Sequence, residues 1–173
     1  MDILYSVDEK YLQAMEELRY GELPKALHFF NTIIELDPDY ARAYYQLGSC
    51  YYYQFRNYQT AGYYYKKCID LEPLFPDVYV HYLKLLITLK MHKAIDATVQ
   101  KALAVPGISE TEVYELLGNY AEQQLDFDAA KAHYQKASLA SSDQDEHASF
   151  QGHVKRIAQK EHSRKKMVYA YQG

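Results

Sequence analysis

The sequence has no tryptophan and only two cysteines in 173 residues. Cys50 and Cys68 lack the CxxC spacing of a thiolate metal site and sit among apolar neighbours, so they read as buried, reduced thiols and not as a disulfide or a ligand pair. No apolar run approaches the roughly 18 residues that span a bilayer, which excludes membrane insertion as an expectation. The opening stretch "MDILYSVDEK" carries carboxylates where a secretory leader would be basic, and a cytoplasmic location follows as the expectation.

Catalytic signatures are missing as well. The chain contains no GxSxG, GxxxxGK[ST] or HExxH pattern and no dinucleotide-type glycine fingerprint. Its seven histidines, among them His147, His153 and His162, never fall at the i, i+4 spacing that puts two ligands on one helical face, so solvated or capping roles are expected. The expectation is a protein that is not an enzyme, with no catalytic residues, no cofactor and no metal.

Positive charge is scarce until the end. Residues 1–154 hold 13 Lys and Arg against 22 Asp and Glu, whereas residues 155–173 hold 6 against 1. Phosphate neutralisation supplies most nucleic-acid affinity, so an acidic body with no broad basic face argues against a nucleic-acid partner.

What the chain does have is tyrosine: 20 in all, seven of them in "YYYQFRNYQTAGYYYKK", residues 51–67. A low-complexity tract would show no fixed spacing to the rest of the chain, and these rings do. Ala26 to Pro38, Ala61 to Pro73 and Ala130 to Ser142 are each twelve residues apart, with Phe30, Tyr65 and Tyr134 four residues after the alanine. Tyr44, Leu47, Gly48 and Tyr51 in one stretch are echoed by Tyr114, Leu117 and Gly118 in another. Apolar residues recur at i, i+3, i+4 and i+7, the pattern of helices that hide one stripe, and no strand pattern competes. Turns are expected near residues 21, 56, 91 and 125. Pro38, Pro73 and Pro106 close second helices, because proline cannot continue the hydrogen-bond ladder. Gly48 and Gly118 read as places where two helices approach closely, which outweighs a helix-interior penalty of about 1 kcal/mol.

These spacings resemble the tetratricopeptide repeat, with tyrosine in its tryptophan place. The resemblance implies an all-α, right-handed α-solenoid of antiparallel helix pairs: about four units, near 7–40, 41–75, 76–108 and 111–142, the third divergent because it lacks the Leu-Gly pair. The helical pattern after "SLASSDQDEH" places Phe150, Val154, Ile157 and Ala158 on one face, and reads as a capping helix over 143–166 that starts at Ser142 or Asp143. An apolar tail, 167–173, follows.

Position within the repeat sorts the rings. Tyr51, Tyr58, Tyr64 and Tyr65 are expected in or beside the core, and Tyr53 and Tyr63 at the surface. In proteins of this family the first helix of each unit lines a concave groove. The resemblance puts Tyr11, Met15 and Leu18 there in the first unit, Tyr45, Ser49 and Tyr52 in the second, Val80, Lys84 and Ile87 in the third, and Glu112, Glu115, Asn119 and Glu122 in the fourth. Such a groove is apolar at one end and acidic at the other, suited to a protein or peptide with basic and apolar residues. The Lys, Arg and Asn clamp with which some members hold acidic chaperone tails has no counterpart: Tyr11, Met15, Gln46, Ser49, Asp77 and His81 stand in its places. The implied function is a protein-interaction scaffold. The alternative is a structural self-association unit that forms a homo-oligomer such as a homodimer, through its solenoid ends or through the basic and apolar C-terminal tail seated in a groove.

Overall fold

In a computed structural model of the chain, residues 6–171 are described, with side chains for residues 6–164. The expected 167–173 tail therefore lies outside the residues whose side chains are described, although the backbone of the last helix continues to Tyr171. Nine α-helices and no strand occur among the described residues. They are α1 Val7–Tyr20, α2 Leu23–Leu36, α3 Ala41–Tyr53, α4 Tyr58–Leu71, α5 Pro76–Thr88, α6 His92–Ala102, α7 Glu110–Gln123, α8 Phe127–Ala140 and α9 Gln144–Tyr171.

Local chemistry sets these boundaries. Helix starts leave orphan N–H groups, and short polar side chains accept from them. Ser6 and Glu9 form a reciprocal capping box on α1, Asn57 accepts from Thr60 N, Ser109 from Glu112 N, and Asp126 from Ala129 N. Asp143 starts α9, its Oδ1 accepting from Asp145 N at 2.8 Å and Glu146 N at 2.9 Å. Pro24 and Pro76 stand in the first turns of α2 and α5, where no N–H is needed.

The hairpin turns share one device. Arg56, Lys90 and Leu125 have left-handed backbones, with φ of 52°, 55° and 62°. The next residue's N–H then reaches back to the helix: Asn57 N to Tyr51 O at 2.9 Å, Met91 N to Leu86 O at 3.0 Å, Asp126 N to Ala121 O at 3.0 Å. The last two are the six-to-one closure that satisfies the last carbonyls of a helix, and the first spans one residue more, all made without glycine.

The chain divides into two compact units after Thr98, inside α6. In the first, Ala14, Ala26, Phe30, Ile33, Ala43 and Leu47 form a buried cluster, with Tyr11, Met15, Leu18, Tyr51 and Tyr64 half-buried against it. Tyr65 is fully buried, and Tyr58 half-buried. Tyr53 and Tyr63 are 49% and 57% exposed. Val80, expected on the groove, is instead buried, because α5 hides Val78, Tyr79, Val80, Leu83, Leu85 and Leu86 around most of its circumference.

In the second unit Ala121, Ala130, Tyr134, Ala137, Phe150 and Ile157 form the core, with Val154 half-buried. Ala158 is exposed, contrary to expectation. The buried stripe of α9 steps from Phe150 to Val154 to Ile157, and a neighbour of Ile157 in sequence lies about 100° around the helix.

Both repeat glycines have a steric reason. A Cβ at position 48 would stand 2.6 Å from Tyr65 Cδ1, and one at 118 would stand 3.0 Å from Tyr134 Cδ1. Gly152 occurs 34 residues after Gly118 on α9, and a Cβ there would meet nothing within 4 Å. Helix α9 thus carries a glycine at the repeat spacing without the close helix approach that Gly48 and Gly118 serve.

Candidate protein-interaction faces

In the first unit, α1, α3 and α5 are joined by polar bridges on one face. Gln46 Nε2 donates to the Tyr11 hydroxyl at 3.2 Å, linking α1 to α3. His81 Nδ1 lies 3.0 Å from the Asp77 carbonyl and 3.3 Å from the Tyr45 hydroxyl. A carbonyl only accepts, so Nδ1 carries the proton and is shared between the two. Thr88 Oγ1 donates to the Lys84 carbonyl at 2.8 Å, which leaves its oxygen to accept from the Tyr52 hydroxyl at 2.9 Å. The Tyr65 hydroxyl donates to Ser49 Oγ at 3.3 Å.

Rings fill the space between these bridges. Tyr45 meets Phe75 edge-on with centroids 5.2 Å apart and His81 at 5.3 Å, while Tyr53 meets His81 at 5.9 Å and Tyr52 at 4.7 Å. Such edge contacts are favoured by the ring quadrupole. Burial, with a smaller contribution from Asp77, pushes the Tyr45 hydroxyl up to about 12, so it stays neutral. Tyr11, Met15, Tyr45, Ser49, Tyr52 and Lys84 are all half-buried. The rings of this face therefore bind the helices together as well as offering surface.

In the second unit, Glu115, Asn119 and Glu122 stand on α7 each 70 residues after Tyr45, Ser49 and Tyr52 on α3. Their surroundings differ. Arg156 grips both carboxylate oxygens of Glu122, its Nη1 bonded to Oε1 and its Nη2 2.8 Å from Oε2, and Lys160 Nζ adds a bond of 2.7 Å to Oε1. Hydrogen bonding from Arg156, aided by Lys160 and opposed by burial, holds the Glu122 carboxyl down at about 2. Asn119 Oδ1 accepts from the Tyr134 hydroxyl at 2.7 Å. His153 stacks on Tyr134 with centroids 4.7 Å apart, and its Nδ1 accepts from Arg156 Nη2 at 2.9 Å. Glu112 and Glu115 line a concavity of about 350 Å³ with Ser109, Thr111, Ser141, Glu146 and Phe150.

The candidate residues thus fall into two sets, one in each unit. Sequence reading missed their partners, Gln46, His81, Thr88, Arg156 and Lys160. A signal existed: the bridged pairs are separated by 34 to 38 residues, about one repeat length, so each partner sits one unit downstream on the next first-position helix. Among the described residues no group of three or more His, Cys, Asp or Glu side chains is placed to hold a metal, and no helix is long and apolar enough to cross a membrane. Burial pushes the Cys50 thiol up to about 11 and the Cys68 thiol up to about 12.

The stretch from Ala41 through the Gly48–Tyr65 contact to Pro73 matches the family model of the tetratricopeptide repeat over residues 41–73. Residues 41–73 are a tetratricopeptide repeat. Around it, the all-helical fold resembles several solved structures. MamA is 20% identical, with a TM-score of 0.69 and 78% of each chain covered. YrrB, described as a TPR protein with an unusual peptide-binding site, is 20% identical with a TM-score of 0.70, covering 93% of this chain and 80% of that one. Human IFIT1, solved as a dimer with PPP-AAAA, is 18% identical with a TM-score of 0.79. The match takes in 94% of this chain but only 41% of the IFIT1 chain. Sequence comparison with curated proteins gives no match.

Proposed function

We propose that the protein is a non-catalytic interaction module that binds a protein or peptide segment across the tyrosine-rich face of α1, α3 and α5. The observation that carries this reading is the run of half-buried rings, Tyr11, Tyr45 and Tyr52, whose hydroxyls are already bonded to Gln46, His81 and Thr88. With those hydroxyls engaged, the face offers rigid ring surface, which gives contact area at low entropic cost. The tetratricopeptide repeat at 41–73 and the peptide-binding site named for YrrB support the same reading. In the second unit the Glu112 and Glu115 concavity favours a segment with basic residues. A cytoplasmic setting accords with this role.

A photo-reactive amino acid placed at Tyr53 tests the reading, with one at Tyr63 as the control. Tyr53 adjoins Tyr52 and His81, whereas Tyr63 adjoins Tyr64. Discrete adducts from position 53 and none from 63 are expected in the native cell. Adducts only from 63, or from neither, contradict the reading. Light scattering across a concentration series separates binding of another protein from self-association.

A further inference from the structure

We propose that Glu122 is a receptor for a cationic side chain of a partner, and that α9 fills it with Arg156 and Lys160 as a built-in competitor. The inference rests on the reading of this protein as an interaction module and names the chemistry that the second unit selects.

Register is the first argument. Glu122 occupies on α7 the repeat position that Tyr52 occupies on α3, 70 residues earlier. With α9 over it its side chain is only 13% exposed, and a carboxylate so covered needs a cation. It has two, with the guanidinium in the bidentate geometry that discriminates arginine from other groups.

The second argument is that α9 does not depend on this contact to stay in place. Phe150 and Ile157 are buried in the core, His153 stacks on Tyr134, Lys131 pairs with Glu161 at 2.8 Å, and Asp143 caps the start. The two cations are partly exposed, the Arg156 and Lys160 side chains by 40% and 52%, and beyond Glu122 Arg156 touches the anchorage by its bond to His153 Nδ1. Each can swing into water on its long stem while the helix remains docked. The vacated carboxylate, with the Glu112 and Glu115 concavity on the same helix, then suits an arginine brought by another chain.

The test uses a capped peptide, Ac-Tyr-Arg-Gly-Arg-Tyr-NH2, and its citrulline analogue, which keeps the shape of arginine without its charge. Titrated into the full chain by calorimetry, the arginine peptide should bind the R156A/K160A variant about tenfold more tightly than the parent protein. The citrulline peptide should show no gain, and adding Glu122→Gln should erase the preference for arginine. A folded R156A/K160A variant that binds no more tightly, or that gains equally for both peptides, overturns the proposal. Should that variant unfold, R156Q/K160Q, which keeps the stems, takes its place. If this one also unfolds, the cations are part of the fold and the proposal fails. Since the probe is a defined peptide read in the second unit, such a failure is distinct from loss of the Tyr53 adducts, which would count against the interaction reading itself.

Discussion

Tyr52 and Thr88 are 36 residues apart, and the tyrosine hydroxyl lies 2.9 Å from the threonine oxygen, tying the first helix of one repeat to the first helix of the next. A ring that sequence position marks as a free contact residue is thus also a structural bridge. Tyr52→Phe should cost about 1 kcal/mol of stability, the net worth of one hydrogen bond, whereas Tyr63→Phe should cost nothing measurable. Urea unfolding of the two variants makes the comparison; equal effects would mean that the bridge carries no stability. It follows that Tyr45→Ala and Tyr52→Ala would lower the melting temperature as well as any binding, so binding losses in those variants must be judged against their stability.

Two glycines on equivalent helices make a matched pair. Gly48→Ala would put a methyl 2.6 Å from Tyr65 Cδ1, in a ring that is fully buried and has little room to yield. Overpacking of this kind costs about 1–3 kcal/mol. Gly152→Ala meets open space and should instead stabilise α9 by up to about 1 kcal/mol through helix propensity. Opposite signs in thermal unfolding are expected, and a loss at both positions would show that α9 packs against something at its glycine.

Leu125 holds φ at 62° and is exposed, so its side chain gives little in return for a conformation that disfavours residues with a Cβ. Leu125→Gly should raise stability by about 1 kcal/mol. Leu125→Ala, which keeps the Cβ, should not. Denaturant midpoints of the two variants read the difference.

The lowered Glu122 carboxyl has a definite pH signature. A group whose folded pKa, about 2, lies below its ordinary 4.5 adds stability that is complete above about pH 4.5 and is lost as the pH falls towards 2. Allowing for the partly exposed cations, the contribution is about 1–3 kcal/mol. Glu122→Gln should therefore be less stable than the parent protein at pH 6, with the gap narrowing steadily below pH 4.5 and closing only as the pH falls to 2 and below. Parallel stability curves across that range would exclude the ion cluster as a source of stability.

How much of this was legible in the sequence depended on what a single repeat encodes. The helices, the turns at 56 and 125, and the reason for Gly48 and Gly118 follow from residues that act within one hairpin, so the offset from Ala61 to Tyr65 and back to Gly48 was enough. Partners one repeat away were missed although their spacing marked them, because a groove position by itself specifies which face a residue occupies and not which side chain the next helix places beside it. Glu122 looked like open acidic wall until Arg156 was seen on it, and Val80 looked like groove until α5 proved buried on most sides. The division after Thr98 falls in the divergent third unit, where the Leu-Gly pair is missing.

The central claim, that the α1, α3 and α5 face receives a peptide segment, is tested most directly by selecting peptides from a random displayed library on the intact protein. Binding of the winners is then measured by fluorescence anisotropy to the parent chain, to Tyr53→Ala and to Tyr63→Ala, with melting temperatures recorded alongside. The account predicts a loss of about tenfold or more for Tyr53→Ala, whose exposed ring lies beside Tyr52 and His81, and none for Tyr63→Ala. Selected peptides whose affinity survives Tyr53→Ala and collapses in Tyr63→Ala would contradict it.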